Sequence, residues 1–87
     1  MKRTELYIEV IQEYGTHNQQ LVAIEEMAEL TQAIVKYERG ITHNIAEEIA
    51  DVEIMLEQLK LMHNIGEQVR YIKRKKKERL YKNILKK

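Results

Sequence analysis

Two short acidic motifs are the part of this sequence best suited to carry chemistry. Glu26 and Glu29 are three positions apart, and after eighteen intervening residues Glu48 and Asp51 repeat that spacing. Side chains three positions apart in an α-helix are neighbours on one face. If both segments are helical, each motif directs two carboxylates to the same side of its helix.

The residues around these acids are apolar. On a helical wheel at about 100° per residue, each motif lies within an apolar stripe: Val22, Ala23, Leu30, Ala33 and Tyr37 in the first segment, and Ile45, Val52, Met55, Leu59 and Met62 in the second. Two carboxylates about 5 Å apart repel by roughly 3 kcal/mol at an effective dielectric constant of ~20. No Lys or Arg lies in either stripe near the acids. One such pair would indicate a solvated face, but two pairs in apolar stripes predict a site for Mg²⁺ or Mn²⁺, which prefer oxygen ligands.

Other metal chemistries are less consistent with the sequence. The chain has no Cys, which excludes disulfides and thiolate zinc or redox sites. A di-iron site in a helical bundle uses Glu-x-x-His motifs, and none of His17, His43 and His63 has a Glu three residues before it. We therefore expect each histidine to lie at the surface near a helix end.

The elements expected to position the acids are helices. Pro is absent, and the three glycines separate stretches of helix-forming residues, where helix stops are expected. Thr16 and Gln19 have the spacing of a capping box for the second helix, and Thr42 or Asn44 could cap the third. The predicted fold is all-α, an up-and-down bundle of about four helices. The helices are expected at residues 3–14, 18–38, 43–63 and 67–85.

Length and composition predict one domain covering residues 1–87. With 44% hydrophobic residues, no Phe and no Trp, the chain can bury only a modest core, so assembly with further copies is expected. The second helix is apolar on both sides, which predicts a subunit interface. No apolar run reaches the ~18–20 residues that cross a bilayer, and the first ten residues lack a secretory pattern. We therefore expect a cytoplasmic protein without a membrane segment.

The net charge of +1 conceals two regions of opposite sign. Residues 1–64 hold 5 Lys and Arg against 12 Asp and Glu, a charge of −7, whereas residues 65–87 hold 10 against 2, a charge of +8. The domain thus divides into an acidic core that carries the metal site and a basic C-terminal helix. This division predicts either electrostatic pairing within the protein or a polyanionic partner.

The acidic motifs resemble those of a known family. EEMAE at residues 25–29, followed by EIAD at residues 48–51, resembles the EExxE…ExxD signature of MazG-like all-α nucleoside triphosphate pyrophosphatases. That group includes dimeric dUTPases and dCTP pyrophosphatases. The resemblance covers residues 15–63 well and the basic last helix more loosely. It implies an α-helical bundle that assembles as a homodimer or homotetramer.

The resemblance also implies roles for individual residues. Glu26, Glu29, Glu48 and Asp51 would bind Mg²⁺, with Mn²⁺ as an alternative ion. Glu25 would be an auxiliary ligand or would orient the attacking water, which makes Glu25 and Glu26 the expected catalytic residues. The implied reaction hydrolyses a (deoxy)nucleoside triphosphate to the monophosphate and pyrophosphate, a housekeeping reaction of nucleotide pools.

The substrate contacts are expected from two further regions. Lys73, Lys76 and Arg79 of the basic helix could hold the β- and γ-phosphates, or could belong to a solvated face. Gln19 lies about 20° from Glu26 on the wheel and could bind the base, or could serve only the capping box. Tyr37 and Met55 share the acidic stripes and are expected in the core.

A second function is also consistent with the sequence. The chain could be a non-catalytic helical interaction module whose basic tail binds nucleic acid. Acids embedded in apolar faces count against this alternative because such a module has no reason to bury them. The expected partner is therefore a nucleotide, and nucleic acid is not expected.

Overall fold

The computed structural model describes residues 2–86, which contain four α-helices and no strand. The prediction of an all-α chain with four helices is confirmed. The helices are α1 (Arg3–Tyr14), α2 (Thr16–Glu38), α3 (Ile45–Met62) and α4 (Gly66–Leu85).

Gly15 connects α1 directly to α2. Its backbone has φ +92°, its N–H donates to the carbonyl of Ile11 at 2.8 Å, and its carbonyl accepts from Gln19 at 3.0 Å. Positive φ at a glycine lets the second helix begin at the next residue. Thr16 is consequently the first residue of α2, and no side chain caps that end. The predicted capping box of Thr16 and Gln19 is therefore wrong.

The other two connections each end a helix with a residue in the left-handed conformation, a position that glycine commonly occupies. At the end of α2, Gly40 has φ +72°, and the N–H of Ile41 donates to the carbonyl of Lys36 at 2.8 Å. At the end of α3, Asn64 has φ +54° and takes the place of a glycine in the left-handed position. Gly66 is the first residue of α4 and not a helix stop. Asn44, and not Thr42, occupies the N-cap position of α3.

The core lies between α2 and α3, which run antiparallel and form the main contact of the chain. The buried apolar side chains are Ala23, Ala33, Val52 and Met55. Helix α1 packs against both α2 and α3, whereas α4 packs against α3 alone. Because α4 meets neither α1 nor α2, the four helices of one chain do not close into a single bundle.

The chain is more open than a compact domain of its length. Its radius of gyration is 16.1 Å, whereas about 12 Å is expected for 87 residues. Its accessible surface is 7355 Å², whereas a compact monomer of this mass exposes about 5,400 Å². Large apolar side chains are exposed on every helix. Within residues 2–86, no helix is both long and apolar enough to span a bilayer.

Candidate metal centre

Three polar pairs face one another across the antiparallel seam between α2 and α3. Gln19 donates from Nε2 to Oε1 of Gln58 at 2.7 Å. Seven residues further along α2, Glu26 lies opposite Asp51, and three further, Glu29 lies opposite Glu48, with the carboxyl groups of each pair close enough to interact. Their partners on α3 follow the same steps of seven and three in the opposite direction, from Gln58 to Asp51 to Glu48. One register therefore aligns all three pairs.

The acidic pairs form a single cluster. Carboxylate oxygens of Glu26, Glu29 and Glu48 all lie within 4.8 Å of one another, and Asp51 is close enough to interact with both Glu26 and Glu48. Glu48 is only 7% exposed, Glu26 and Asp51 are half-buried, and Glu29 is exposed. The cluster is thus buried at Glu48 and open to solvent at Glu29.

The cluster lacks the partners that normally compensate buried carboxylates. One oxygen of Glu48 accepts a hydrogen bond from Nδ2 of Asn44 at 2.7 Å. The other oxygen, Oε2, is buried without a partner, and so is Oε2 of Glu26. The ion pairs in the described part of the chain are Lys60–Glu57, Arg70–Glu67 and Lys75–Glu78. None of them involves the cluster.

Both burial and like charge act on the protonation of these groups. Burial raises the pKa of Glu26 above its usual value, and the neighbouring carboxylates of Glu29, Asp51 and Glu48 raise it further. Burial likewise raises the pKa of Glu48, and Glu29 adds to the increase, while the hydrogen bond from Asn44 opposes it. A proton or a cation must therefore compensate the cluster.

The donor set suits a hard divalent cation. It consists of carboxylate oxygens alone, and two buried oxygens have an unused lone pair. Mg²⁺ and Mn²⁺ prefer such oxygens, and an ion held by these carboxylates could also bind water and phosphate. The predicted metal ligands Glu26, Glu29, Glu48 and Asp51 are therefore the residues that the fold brings together.

The other predicted site residues lie outside the cluster. Glu25 is exposed, about 100° from Glu26 around the helix. Gln19 is buried, and its Nε2 donates to Gln58 within the seam. Lys73 lines a cleft between α1, α3 and α4. This cleft lies away from the metal cluster, because Lys60 of α3 also lines it and Lys60 is about 120° from Glu48 around α3.

The remaining basic residues predicted to bind phosphate are Lys76 and Arg79, which are exposed on α4. Because α4 packs against α3 and does not meet α2, the fold of one chain brings no part of α4 onto the helix that carries Glu26 and Glu29. The assignment of phosphate contacts to these two residues stays a prediction.

The sequence interpretation overlooked two residues of the site. Gln58 is seven residues after Asp51, just as Gln19 is seven before Glu26, and this mirrored spacing could have revealed the pair. Asn44 is four residues before Glu48, which is the spacing of neighbours on a helix. Its role as a donor to Glu48 became apparent only from the distance between the two side chains.

The expectations for the histidines and the two core candidates had mixed outcomes. His17, His43 and His63 are all exposed near helix ends, as predicted. Met55 is 5% exposed and belongs to the core, as predicted, but Tyr37 is 58% exposed. Tyr37 is exposed because α2 extends beyond the part of α3 that could cover it. Its ring contacts the ring of His43 edge to face, with 5.2 Å between the two ring centres.

Comparisons of the chain with protein-family models, with characterised proteins and with solved structures give no match. The resemblance to MazG-like pyrophosphatases therefore stays a prediction from the acidic motifs.

Proposed function

We propose that the protein is a Mg²⁺-dependent pyrophosphohydrolase that cleaves (deoxy)nucleoside triphosphates to monophosphates and pyrophosphate. The observation that carries the proposal is the meeting of two acidic pairs in one cluster that includes a buried carboxylate oxygen without a partner. A structural role does not explain such a cluster, since unpaired buried carboxylates destabilise a fold.

Each residue of the cluster has a distinct part in this proposal. Glu26, Glu29, Glu48 and Asp51 would hold the ion, and Asn44 fixes the orientation of Glu48 through its hydrogen bond. The pair of Gln19 and Gln58 holds the register of α2 against α3 and so keeps the acids aligned. A bound divalent ion would neutralise phosphate oxygens and lower the pKa of an attacking water.

The nature of the substrate rests on the resemblance of the two motifs. Exposure of Glu29 leaves the cluster accessible to a phosphate chain from solvent. We further propose that the protein works as a homo-oligomer, because one copy exposes far more surface than a compact monomer. In this proposal Lys73, Lys76 or Arg79 of α4 would contact the phosphates, and because α4 packs on α3 alone within one chain, they would have to do so from the α3 side of the cluster or from another copy.

The test is a panel of nucleoside and deoxynucleoside triphosphates with Mg²⁺, read separately for pyrophosphate and for single phosphate. We expect pyrophosphate only, no turnover in EDTA, and loss of turnover in Glu48→Gln. Glu53→Gln is the matched control because Glu53 is an exposed acid on the same helix. Absence of pyrophosphate for the entire panel would refute the catalytic proposal.

A second candidate function is nucleic-acid binding by α4, and one observation favours it. Every residue of α4 from Arg70 onward is exposed, and the cations of Arg74 and Lys75 lie 5.4 and 5.7 Å from the ring centre of Tyr71. Salt-dependent binding of an oligonucleotide would support this function. Such binding should survive Glu48→Gln and disappear when the cations at residues 73–79 are neutralised.

A further inference from the structure

A cleft between α1, α3 and α4 gathers cations from three separate parts of the chain. It consists of two adjoining cavities of about 290 and 590 Å³. The cleft exists because α1 and α4 both pack against α3 but do not meet each other. We call it the basic cleft. Both of its cavities are lined by Arg3, Tyr7, Glu57, Lys60 and Lys73.

The smaller cavity of the basic cleft has a clear excess of positive charge. One acid, Glu57, and four cations line it, an excess of three positive charges in one concave space. Residues 1–64 hold only five Lys and Arg in a segment of charge −7, and two of the five lie here. The acidic body therefore places cations where it meets the basic helix. The four cations are Arg3, Lys60, Arg70 and Lys73.

The ion pairs of the chain leave most of this charge uncompensated. Lys60 pairs with Glu57 at 3.1 Å, and Arg70 pairs only with a largely exposed acid of its own helix at 3.5 Å, a contact that contributes little. Within residues 2–86 neither Arg3 nor Lys73 has an acidic partner. Each ion pair of these residues joins two side chains of one helix, so none connects the acidic body to the basic helix. A bound anion would supply the missing compensation.

We propose that the basic cleft binds a diphosphate group, either as inorganic pyrophosphate or as part of a nucleoside diphosphate. Lys and Arg bind phosphate oxygens through charge-assisted hydrogen bonds, and a cleft lined by one sign of charge concentrates ions of the opposite sign. The hydroxyls of Thr4 and Tyr7, which line the smaller cavity, can donate further hydrogen bonds. The larger cavity has the volume of a small-molecule pocket and would accommodate a nucleoside beside the phosphates. Its apolar lining consists of Ala50, Ile54 and Leu56.

The placement of the cations favours a small anion over a strand of nucleic acid. Arg3, Lys60 and Lys73 converge on one cleft from three different helices, whereas a strand requires a groove of cations that follows its backbone. A long polyanion that extended out of the cleft would also approach the acidic body and be repelled by it. A diphosphate is short enough to remain among the cations.

The basic cleft is separate from the metal cluster. Lys60 lies about 120° from Glu48 around α3, and the cluster consists of carboxylates alone. Diphosphate binding in the cleft therefore requires neither a metal ion nor turnover. This inference does not rest on the proposed catalytic function, and either can fail without the other.

The first test is calorimetric titration of the full chain with sodium pyrophosphate in EDTA, where the carboxylate cluster has no metal and repels anions. We expect binding at one site, weakened at least about 10-fold in the double variant Arg3→Gln/Lys60→Gln, which loses two charged contacts. Lys36→Gln/Arg39→Gln is the matched control because it removes the same two charges from exposed positions of the acidic body outside the cleft. At 0.15 M salt the control should change the dissociation constant by no more than about twofold, and circular dichroism checks that both variants fold.

Two results of this titration would overturn the proposal. One is the absence of pyrophosphate binding, and the other is an equal loss of affinity in both double variants, which would indicate attraction by net charge alone. Glu48→Gln should bind pyrophosphate as the natural protein does. Loss of binding in Glu48→Gln would place the anion at the metal cluster and would also overturn the proposal.

The second test locates the site by nuclear magnetic resonance. Pyrophosphate in EDTA should shift the backbone amide signals of Thr4, Gly66 and Val69, which line the smaller cavity, and leave that of Ala33 in the α2–α3 core unchanged. Shifts spread along the exposed residues 74–82 instead would indicate unspecific binding to the basic helix and overturn the proposal.

The source of the diphosphate is distinguished by repeating the titration with ADP. Tighter binding of ADP than of pyrophosphate would support a nucleotide that also fills the larger cavity, and weaker binding would support free pyrophosphate. Binding of ADP or of an oligonucleotide without any binding of pyrophosphate would overturn recognition of the diphosphate group.

Discussion

Replacing Glu26 with Gln should have opposite effects on stability with and without Mg²⁺. The substitution removes one negative charge from a cluster whose oxygens lie within 4.8 Å of one another. It also supplies an amide donor beside Asp51, where Glu26 has a buried oxygen without a partner. Without metal the variant should therefore be more stable than the natural protein, whereas with metal it lacks a ligand.

The size of the effect follows from the geometry. Two unit charges 4.8 Å apart repel by about 3.5 kcal/mol at an effective dielectric constant of ~20. Because the cluster is open to solvent at Glu29, water screens part of this repulsion, so a gain of about 1–2 kcal/mol is expected near pH 8. For a domain of this length, 1 kcal/mol shifts Tm by roughly 4–8 °C.

Mg²⁺ should reverse the order of the two proteins. At a concentration 100 times its dissociation constant, an ion that binds only the folded state adds about 2.7 kcal/mol. The natural protein should receive this increase in full and Glu26→Gln only a fraction of it. Thermal melting by circular dichroism, in EDTA and across a Mg²⁺ titration at one fixed protein concentration, measures both effects.

Glu53→Gln serves as the control because Glu53 is an exposed acid of α3 outside the cluster. It should change neither the free energy of unfolding in EDTA nor the stabilisation by Mg²⁺ by more than about 0.5 kcal/mol. The reasoning is refuted if Glu26→Gln is less stable than the natural protein in EDTA, or if both proteins respond equally to Mg²⁺.

Three further predictions follow from burial and hydrogen bonding in the seam. Because the pKa values of Glu26 and Glu48 are raised above their ordinary 4.5, the folded state binds protons more tightly than the unfolded chain. In EDTA the melting temperature should therefore fall as pH rises above about 5, and less so in Glu26→Gln; an equal fall in both proteins would contradict this. Gln58→Ala should lower the free energy of unfolding by about 1–3 kcal/mol, measured in urea, because it leaves the buried amide of Gln19 unpaired; replacing both glutamines with Leu should cost less. Met55→Ala should lower the free energy of unfolding by about 2–5 kcal/mol because it opens a cavity in a small core. A loss below about 1 kcal/mol would contradict this and would indicate that neighbouring side chains fill the cavity.

Local periodicity was sufficient to predict much of the fold. The four helices, the histidines at their ends and the convergence of each acidic pair on one face all depend on residues within a few turns of each other. The positions of Glu26, Glu29, Glu48 and Asp51 on apolar faces could be read from a helical wheel for the same reason. The capping box failed because Gly15 takes a positive φ and α2 starts at Thr16, two residues earlier than predicted.

Distances across the seam required the tertiary structure. Only the register of α2 against α3 decides that Glu29 meets Glu48, that Gln19 meets Gln58, and that one oxygen of Glu48 has no partner. The exposure of Tyr37 likewise depends on where α3 begins relative to the end of α2. A helical wheel assigns each side chain a direction but contains no information about which residue of another helix lies opposite.

The sequence by itself determined that this protein is helical, that its carboxylates occupy packing faces, and that its charge is divided between a body and a tail. Only the tertiary structure decided that the carboxylates form one partly buried cluster and that α4 packs on α3 alone. The physical reason is the separation along the chain of the residues that each interaction joins. Helix formation and amphipathic patterning are governed by neighbours three and four residues apart, whereas the register and docking of helices depend on contacts between residues far apart in the chain.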